Sequence, residues 1–144
     1  MRRFLSTHVP AEGELVVLDD STSHHLLRVT GIGPNERVEI FDGQGGGAIA
    51  ELVEVREGMA VLKVVQRQES LGPIGVRVHL LIAQTRANVL DTTLRMVTEL
   101  GVSSVQIVAT ERCVAKGDKR ERWLRIIESA STQSGRVTLP ELFE

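Results

Sequence analysis

Apolar and polar positions alternate in two different ways along this chain of 144 residues. Up to about residue 67 the repeat has a period of two. Leu15-Val16-Val17-Leu18 predicts a short strand, and Arg37-Val38-Glu39-Ile40-Phe41 alternates as a half-buried strand does. Ala48 to Val55 and Met59 to Val65 continue the pattern around a turn at Arg56-Glu57-Gly58, and Gly33-Pro34-Asn35 and Asp42-Gly43 are turn residues. One short helix is predicted from about Ser21 to Val29, stopped by Gly31. Several short strands separated by such turns predict a small β-barrel over residues 1–67.

Residues 68–75 are polar, contain Gly72-Pro73 and read as a linker, after which the pattern changes over residues 76–144. Val76 to Ala83 is a nearly continuous β-favouring run, expected of a strand buried on both faces. Asn88 is the expected cap of a helix, with Asp91 three residues on. Leu90, Leu94 and Val97, flanked by Thr93, Met96 and Leu100, form its apolar face, and Gly101 stops it. Val105 to Val108 is a second strand. Asp118 begins a second helix with an apolar stripe of Trp123, Ile126, Ile127 and Ala130, a Glu121–Arg125 pair across one turn, and Gly135 at its end. This β-α-β-α order predicts an α/β fold with a parallel sheet and crossover helices. A third strand is expected within Val137 to Glu144, and further chain or a partner chain is expected to complete the sheet.

Composition narrows the classes. Seventeen Lys and Arg against 19 Asp and Glu leave a formal charge of −2, so the chain is not globally basic. Arg112 to Arg125 nevertheless holds six basic residues against two acidic ones, a local patch that a polyanion could meet. Three Phe, one Trp and no Tyr make an aromatic base-stacking platform improbable. No apolar run approaches the roughly 18 residues that span a bilayer, and no signal-like apolar stretch follows Met1-Arg2-Arg3-Phe4. A single cysteine, Cys113, excludes an internal disulfide framework and fits a reducing cytoplasm; no zinc-spaced ligand cluster exists.

Candidate chemistry is sparse. Gly43-Gln44-Gly45-Gly46-Gly47 lacks the Lys-Ser/Thr of a phosphate loop and is followed by a strand, which favours a hairpin loop. His24-His25 is expected to be one packed and one exposed histidine, and His8 and His79 have no visible partners. Cys113 is expected to be a buried structural thiol. The run Lys116, Lys119, Arg120, Arg122 and Arg125 suits either phosphate contacts or a solvated helix face. Gln133-Ser134-Gly135-Arg136 sets an amide and a guanidinium around a helix end, suited to a polar ligand or to a plain helix stop.

Taken in order, several pieces resemble one family. Arg2-Arg3-Phe4, His24-His25-Leu26-Leu27-Arg28-Val29, Gly33-Pro34, Val38 to Gly43, Thr98-Glu99-Leu100-Gly101-Val102, Thr110-Glu111-Arg112-Cys113 and Gln133-Ser134-Gly135-Arg136 with Pro140 are similar to the bacterial small-subunit ribosomal RNA uridine-N3 methyltransferases. These are knotted SPOUT-class enzymes that use S-adenosylmethionine. The resemblance spans essentially the whole chain. It implies a PUA-like, RNA-binding β-barrel over 1–67, then the first part of a SPOUT-type knotted α/β domain over 76–144, with the cofactor loop expected beyond Glu144. It further implies a two-fold homodimer acting on 16S ribosomal RNA in the small ribosomal subunit, in the cytoplasm and with no membrane. Under it, Arg2, Arg3, Arg28, Arg86, Lys116 and Lys119 contact RNA, while Arg112 and Arg136 serve the reaction and Glu111 orients Arg112. Val89, Met96, Ser129 and Thr132 depart from the family pattern. The competing reading is a non-catalytic RNA-binding remnant or inactive paralogue.

Overall fold

The computed structural model of the chain describes residues 1–68, 75–113 and 119–143. The first half is built on one five-stranded sheet. Its strands are β1 (Arg3–Leu5), β2 (Leu15–Val17), β3 (Arg37–Phe41), β4 (Gly47–Arg56) and β5 (Met59–Gln68), in the order β1-β3-β4-β5-β2. Neighbours run antiparallel except β1, which lies parallel to β3 with Phe4 opposite Ile40. The described pairings leave β1 and β2 as edges and do not close a barrel. Phe4, Val16, Val38, Ile40, Leu52 and Leu62 are buried and form one core cluster with Leu26.

The predicted helix at 21–29 becomes two pieces. Helix α1 (Asp20–His24) is capped by the Asp19 carboxylate, which accepts from Thr22 N at 2.9 Å. A π-helical turn follows over His25–Val29. Its cause is local: the Thr30 hydroxyl takes the Leu26 carbonyl at 2.7 Å, so the Thr30 N–H reaches one residue further back to His25 O at 2.9 Å. Ser23 fastens α1 to the sheet, donating to Leu18 O and accepting from Ala60 N. The glycine-rich stretch is a hairpin loop folded around a carboxylate, since Asp42 Oδ1 accepts from Gln44 N and Gly46 N, both at 2.8 Å. A Cβ on Gly46 would overlap that carboxylate, so the loop's interior is already occupied by an anionic group.

The second half is β6 (His79–Ala83), α2 (Ala87–Leu100), β7 (Ser104–Val108), α3 (Arg120–Ser134) and β8 (Glu141–Phe143). The three strands are parallel in the order β6-β7-β8. The expected strand from Val76 is shorter, and it is not buried on both faces. Ile82 packs against the core that α2 and α3 cover and Leu80 is half-buried, while His79, Leu81 and Ala83 are exposed. His79 does have a partner: its Nδ1 lies 2.7 Å from Ser104 Oγ.

Helix α2 buries Leu90, Leu94 and Thr98, and α3 buries Trp123, Ile127, Ala130 and Ser131, against Val105, Ile107 and Leu142. Each fully buried leucine contributes roughly 1.5–3 kcal/mol. Met96 and Leu100, expected to flank the buried face, are exposed. Asn88 does not cap α2. The helix starts one turn's edge earlier, where Arg86 O accepts from Val89 N and Leu90 N, and Asp91 instead pairs with Arg122 of α3. Gly101 and Gly135 end the two helices in the left-handed conformation, as expected. The expected start at Asp118 and most of the expected linker lie outside the described residues. The chain divides into two compact units, residues 1–72 and 73–144.

Candidate active site

Parallel strands end side by side, so their carboxyl ends gather the loops that follow them. Here Ala83 pairs with Val108, and Gln84 N extends the pairing with a 2.9 Å bond to Val108 O. The segment leaving β6 carries Gln84, Thr85 and Arg86 into the start of α2, with the Arg86 side chain exposed. The segment leaving β7 turns at once, Cys113 N donating to Thr110 O at 3.0 Å, and this turn holds Glu111 and Arg112 outward in solvent. Gln84, Arg86, Glu111, Arg112 and Cys113 therefore share one edge of the sheet. Gln84 stands in no motif of the sequence; only the parallel pairing shows that it belongs beside Thr110-Glu111-Arg112-Cys113.

Cys113 is half-exposed rather than a buried structural thiol. Its Sγ lies 3.3 Å from Thr110 Oγ1 and accepts from Thr110 N at 3.2 Å. These bonds hold the thiol below its ordinary pKa, the Thr110 hydroxyl first and its amide second, against a smaller opposing effect of burial. Among the described residues the buried Gln84 side-chain Nε2 has no hydrogen-bond partner, a donor left open at this edge.

The other expected site residues are scattered. Among the described residues no hydrogen bond or ion pair joins Glu111 to Arg112; neighbouring positions of a tight turn point apart. Lys119 sits half-buried at the start of α3, with its carbonyl accepting from Trp123 N, and Lys116 lies outside the described residues. Arg136 is at the opposite end of the sheet. Its Nε and Nη2 donate to Glu99 O at 3.2 and 3.0 Å, beside Gly101, where α2 ends and the chain turns to enter β7. Helix α2 starts at the Arg86 edge, so roughly 20 Å of helix separates Arg136 from that edge. Arg136 is thus a staple on the end of α2, not a neighbour of Arg112.

In the first unit, Arg3 is committed to structure: its guanidinium pairs with Glu39 at 2.8 Å and lies 4.7 Å over the Phe41 ring, leaving the side chain 11% exposed. Arg2 is exposed and donates to Thr30 O at the end of the π-helical turn, and Arg28 projects from that turn into solvent. His24 and His25 are both exposed, unlike the expected packed-and-exposed pair. His25 meets Phe4 edge-on, with ring centroids 5.9 Å apart.

No helix among the described residues is long and apolar enough to cross a membrane. Comparison with known proteins bears directly on the second unit. Residues 73–144 match the family described as RNA methyltransferase domain. The ribosomal RNA small subunit methyltransferase E of Synechocystis is 35% identical over 128 residues, covering 87% of this chain and 41% of that protein. The enzyme of the same name from Neisseria gonorrhoeae, solved bound to S-adenosyl methionine, superposes with a TM-score of 0.89 at 30% identity, over 99% of this chain and 61% of that one. A Legionella pneumophila methyltransferase solved with the same cofactor superposes at 0.87 and 25% identity, over 97% and 60%. The chain thus spans 41–61% of the length of these relatives. With the family matching half of its length, and a parallel sheet whose carboxyl edge collects polar and cationic side chains, the chain belongs to the RNA methyltransferase family.

Proposed function

We propose that this chain is part of an S-adenosylmethionine-dependent methyltransferase that modifies N3 of a uridine in 16S ribosomal RNA. The observation that supports it most is the likeness of nearly the whole chain to the Neisseria gonorrhoeae structure, at 30% identity and a TM-score of 0.89. In this reading residues 1–67 are a PUA-like RNA-binding unit and residues 76–144 the first part of a SPOUT-type knotted domain. Further chain supplies the rest of the cofactor pocket. The enzyme works as a two-fold homodimer on the small ribosomal subunit, in the cytoplasm.

The residues at the carboxyl edge of β6 and β7 fit part of such a cofactor. Gln84 offers a buried N–H, unpartnered among the described residues, that suits a carboxylate or purine acceptor. When bound, S-adenosylmethionine supplies an electrophilic methyl group. Uridine N3 carries a proton and is a weak nucleophile until solvent water takes that proton, at which point negative charge spreads over the uracil oxygens. Arg112 and Arg86, exposed at this edge and permanently charged, stabilise that charge and hold the base in place. Arg28 and Arg2 grip the RNA backbone, and Arg136 acts as a structural staple.

The test uses the full-length protein, small subunits lacking the modification, and methyl-labelled cofactor. Label is expected at N3 of a uridine, and Arg112→Ala is expected to slow transfer by about 100-fold, the loss typical of one charge-stabilising donor. No transfer by the wild-type protein overturns the function. Full activity in an Arg86→Ala/Arg112→Ala variant overturns the site.

A further inference from the structure

The cations of α3 do not all lie on one solvated face. Trp123, Ile127 and Ala130 form the stripe that α3 buries, and Leu90 and Leu94 the stripe that α2 buries. One position along from each lies a second stripe: Asp91 and Arg95 on α2, Arg122, Ile126 and Ser129 on α3. Because the two helices pack together, these second stripes meet as the walls of a trough. Arg95, Arg122, Arg125, Ile126 and Ser129 line a hollow of about 220 Å³. Arg122 and Arg125 also line an adjoining hollow of about 420 Å³, shared with Lys119, Arg120 and Glu121.

The trough is organised rather than incidental. The Asp91 side chain, only 15% exposed, pairs with Arg122 and so holds that guanidinium at the helix–helix boundary while it remains 59% exposed. Glu121 pairs with Arg125 only at 3.7 Å, and both side chains are largely in solvent, so this contact is easily exchanged for a stronger anion. Among the described residues five cations meet two acids there, in a chain whose formal charge is −2. A shallow trough with a single aliphatic wall residue does not suit an enclosed small-molecule ligand. Planar guanidinium forks from two helices, in a hollow that Ser129 also lines, suit successive phosphates of a strand.

We infer that the α2–α3 trough is a second RNA-backbone contact surface, centred on Arg95, Arg122 and Arg125, in addition to the residues proposed above. It rests on the reading of the protein as an RNA-modifying enzyme. The surface contacts phosphates and carries no sequence preference; its role is to hold the substrate against the protein while the sheet edge meets the base.

The test is the salt dependence of binding of a labelled RNA hairpin by the full-length protein, compared with Arg95→Ala/Arg125→Ala. Both side chains are exposed, so the fold tolerates their loss, while Arg122 is left in place to keep its bond to Asp91. The expected result is binding about 10-fold weaker at low salt, with the slope of log affinity against log salt reduced by about 1.5, as for two lost phosphate contacts. An Arg37→Ala/Arg56→Ala variant removes the same charge from exposed arginines of the first unit and is expected to leave the slope unchanged. Equal slopes for wild type and the Arg95/Arg125 variant overturn the trough. An equal loss in both double variants does so too, because net charge then explains it. Methyl transfer, measured separately, reports whether the underlying enzymatic reading stands, so the two failures are distinguishable.

Discussion

At the scale of single residues, Cys113 shows how a three-residue separation alters chemistry. The Thr110 hydroxyl and amide both reach its sulfur and favour the thiolate. Thr110→Val removes the larger of the two contributions while preserving shape. The pH profile of Cys113 alkylation should then move upward, toward that of an ordinary thiol. An unmoved profile would show that the hydroxyl is not the cause. A thiol that titrates lower when folded favours the folded state at pH values above the ordinary cysteine range, and this increment disappears as pH falls through the folded-state value. The sequence gives little warning of any of this. A lone cysteine beside Glu111-Arg112 reads as packing, because the bond that matters is created by the turn and not by adjacency.

At the scale of elements, the stops were more legible than the starts. Gly101 and Gly135 end α2 and α3 where expected, since a left-handed residue is a local requirement that glycine meets best. The start of α2 differs from the expected Asn88 cap because its first turn is made by backbone bonds to the Arg86 carbonyl, which any residue could supply. Strand β1 is three residues long and pairs with a partner more than thirty positions away, so no local periodicity marks it. The π-helical turn depends on the rotamer of Thr30, again invisible in a pattern. The sheet edge that gathers Gln84, Arg86 and Arg112 follows from the β-α-β order, whereas the bond of Arg136 to the end of α2 does not, because order along the chain does not say which end of the sheet a loop occupies. Gly101 gives a direct test of that staple. At Gly58 a Cβ meets open space, so Gly58→Ala should cost only the backbone term of about 1 kcal/mol. At Gly101 a Cβ would also displace the Arg136 guanidinium from the Glu99 carbonyl, and Gly101→Ala should cost about 1 kcal/mol more in denaturant titration. Equal costs would show that Arg136 contributes nothing to the end of α2.

At the scale of the whole molecule, two cores are closed by different means. The first wraps a sheet around Leu26; the second lays two helices on one face of three parallel strands, with Leu81 and Phe143 exposed on the other. Leu62→Ala and Leu94→Ala each remove a side chain that is fully buried in one core, and each should cost about 2–5 kcal/mol there. Hydrogen exchange should show the first accelerating amides in residues 1–72 and the second those in 73–144. Uniform acceleration from either substitution would mean the units unfold as one. The parallel placement of β1 also sets an order in time. The β3–β4 and β4–β5 pairings join neighbours in the chain and close small loops, but β1 has no partner until Arg37–Phe41 has emerged and paired. Residues 3–5 are therefore among the last in their unit to be locked in place. Phe4, almost wholly covered once folded, stays exposed until then as an unpaired apolar segment, open to wrong association while it waits for its partner strand.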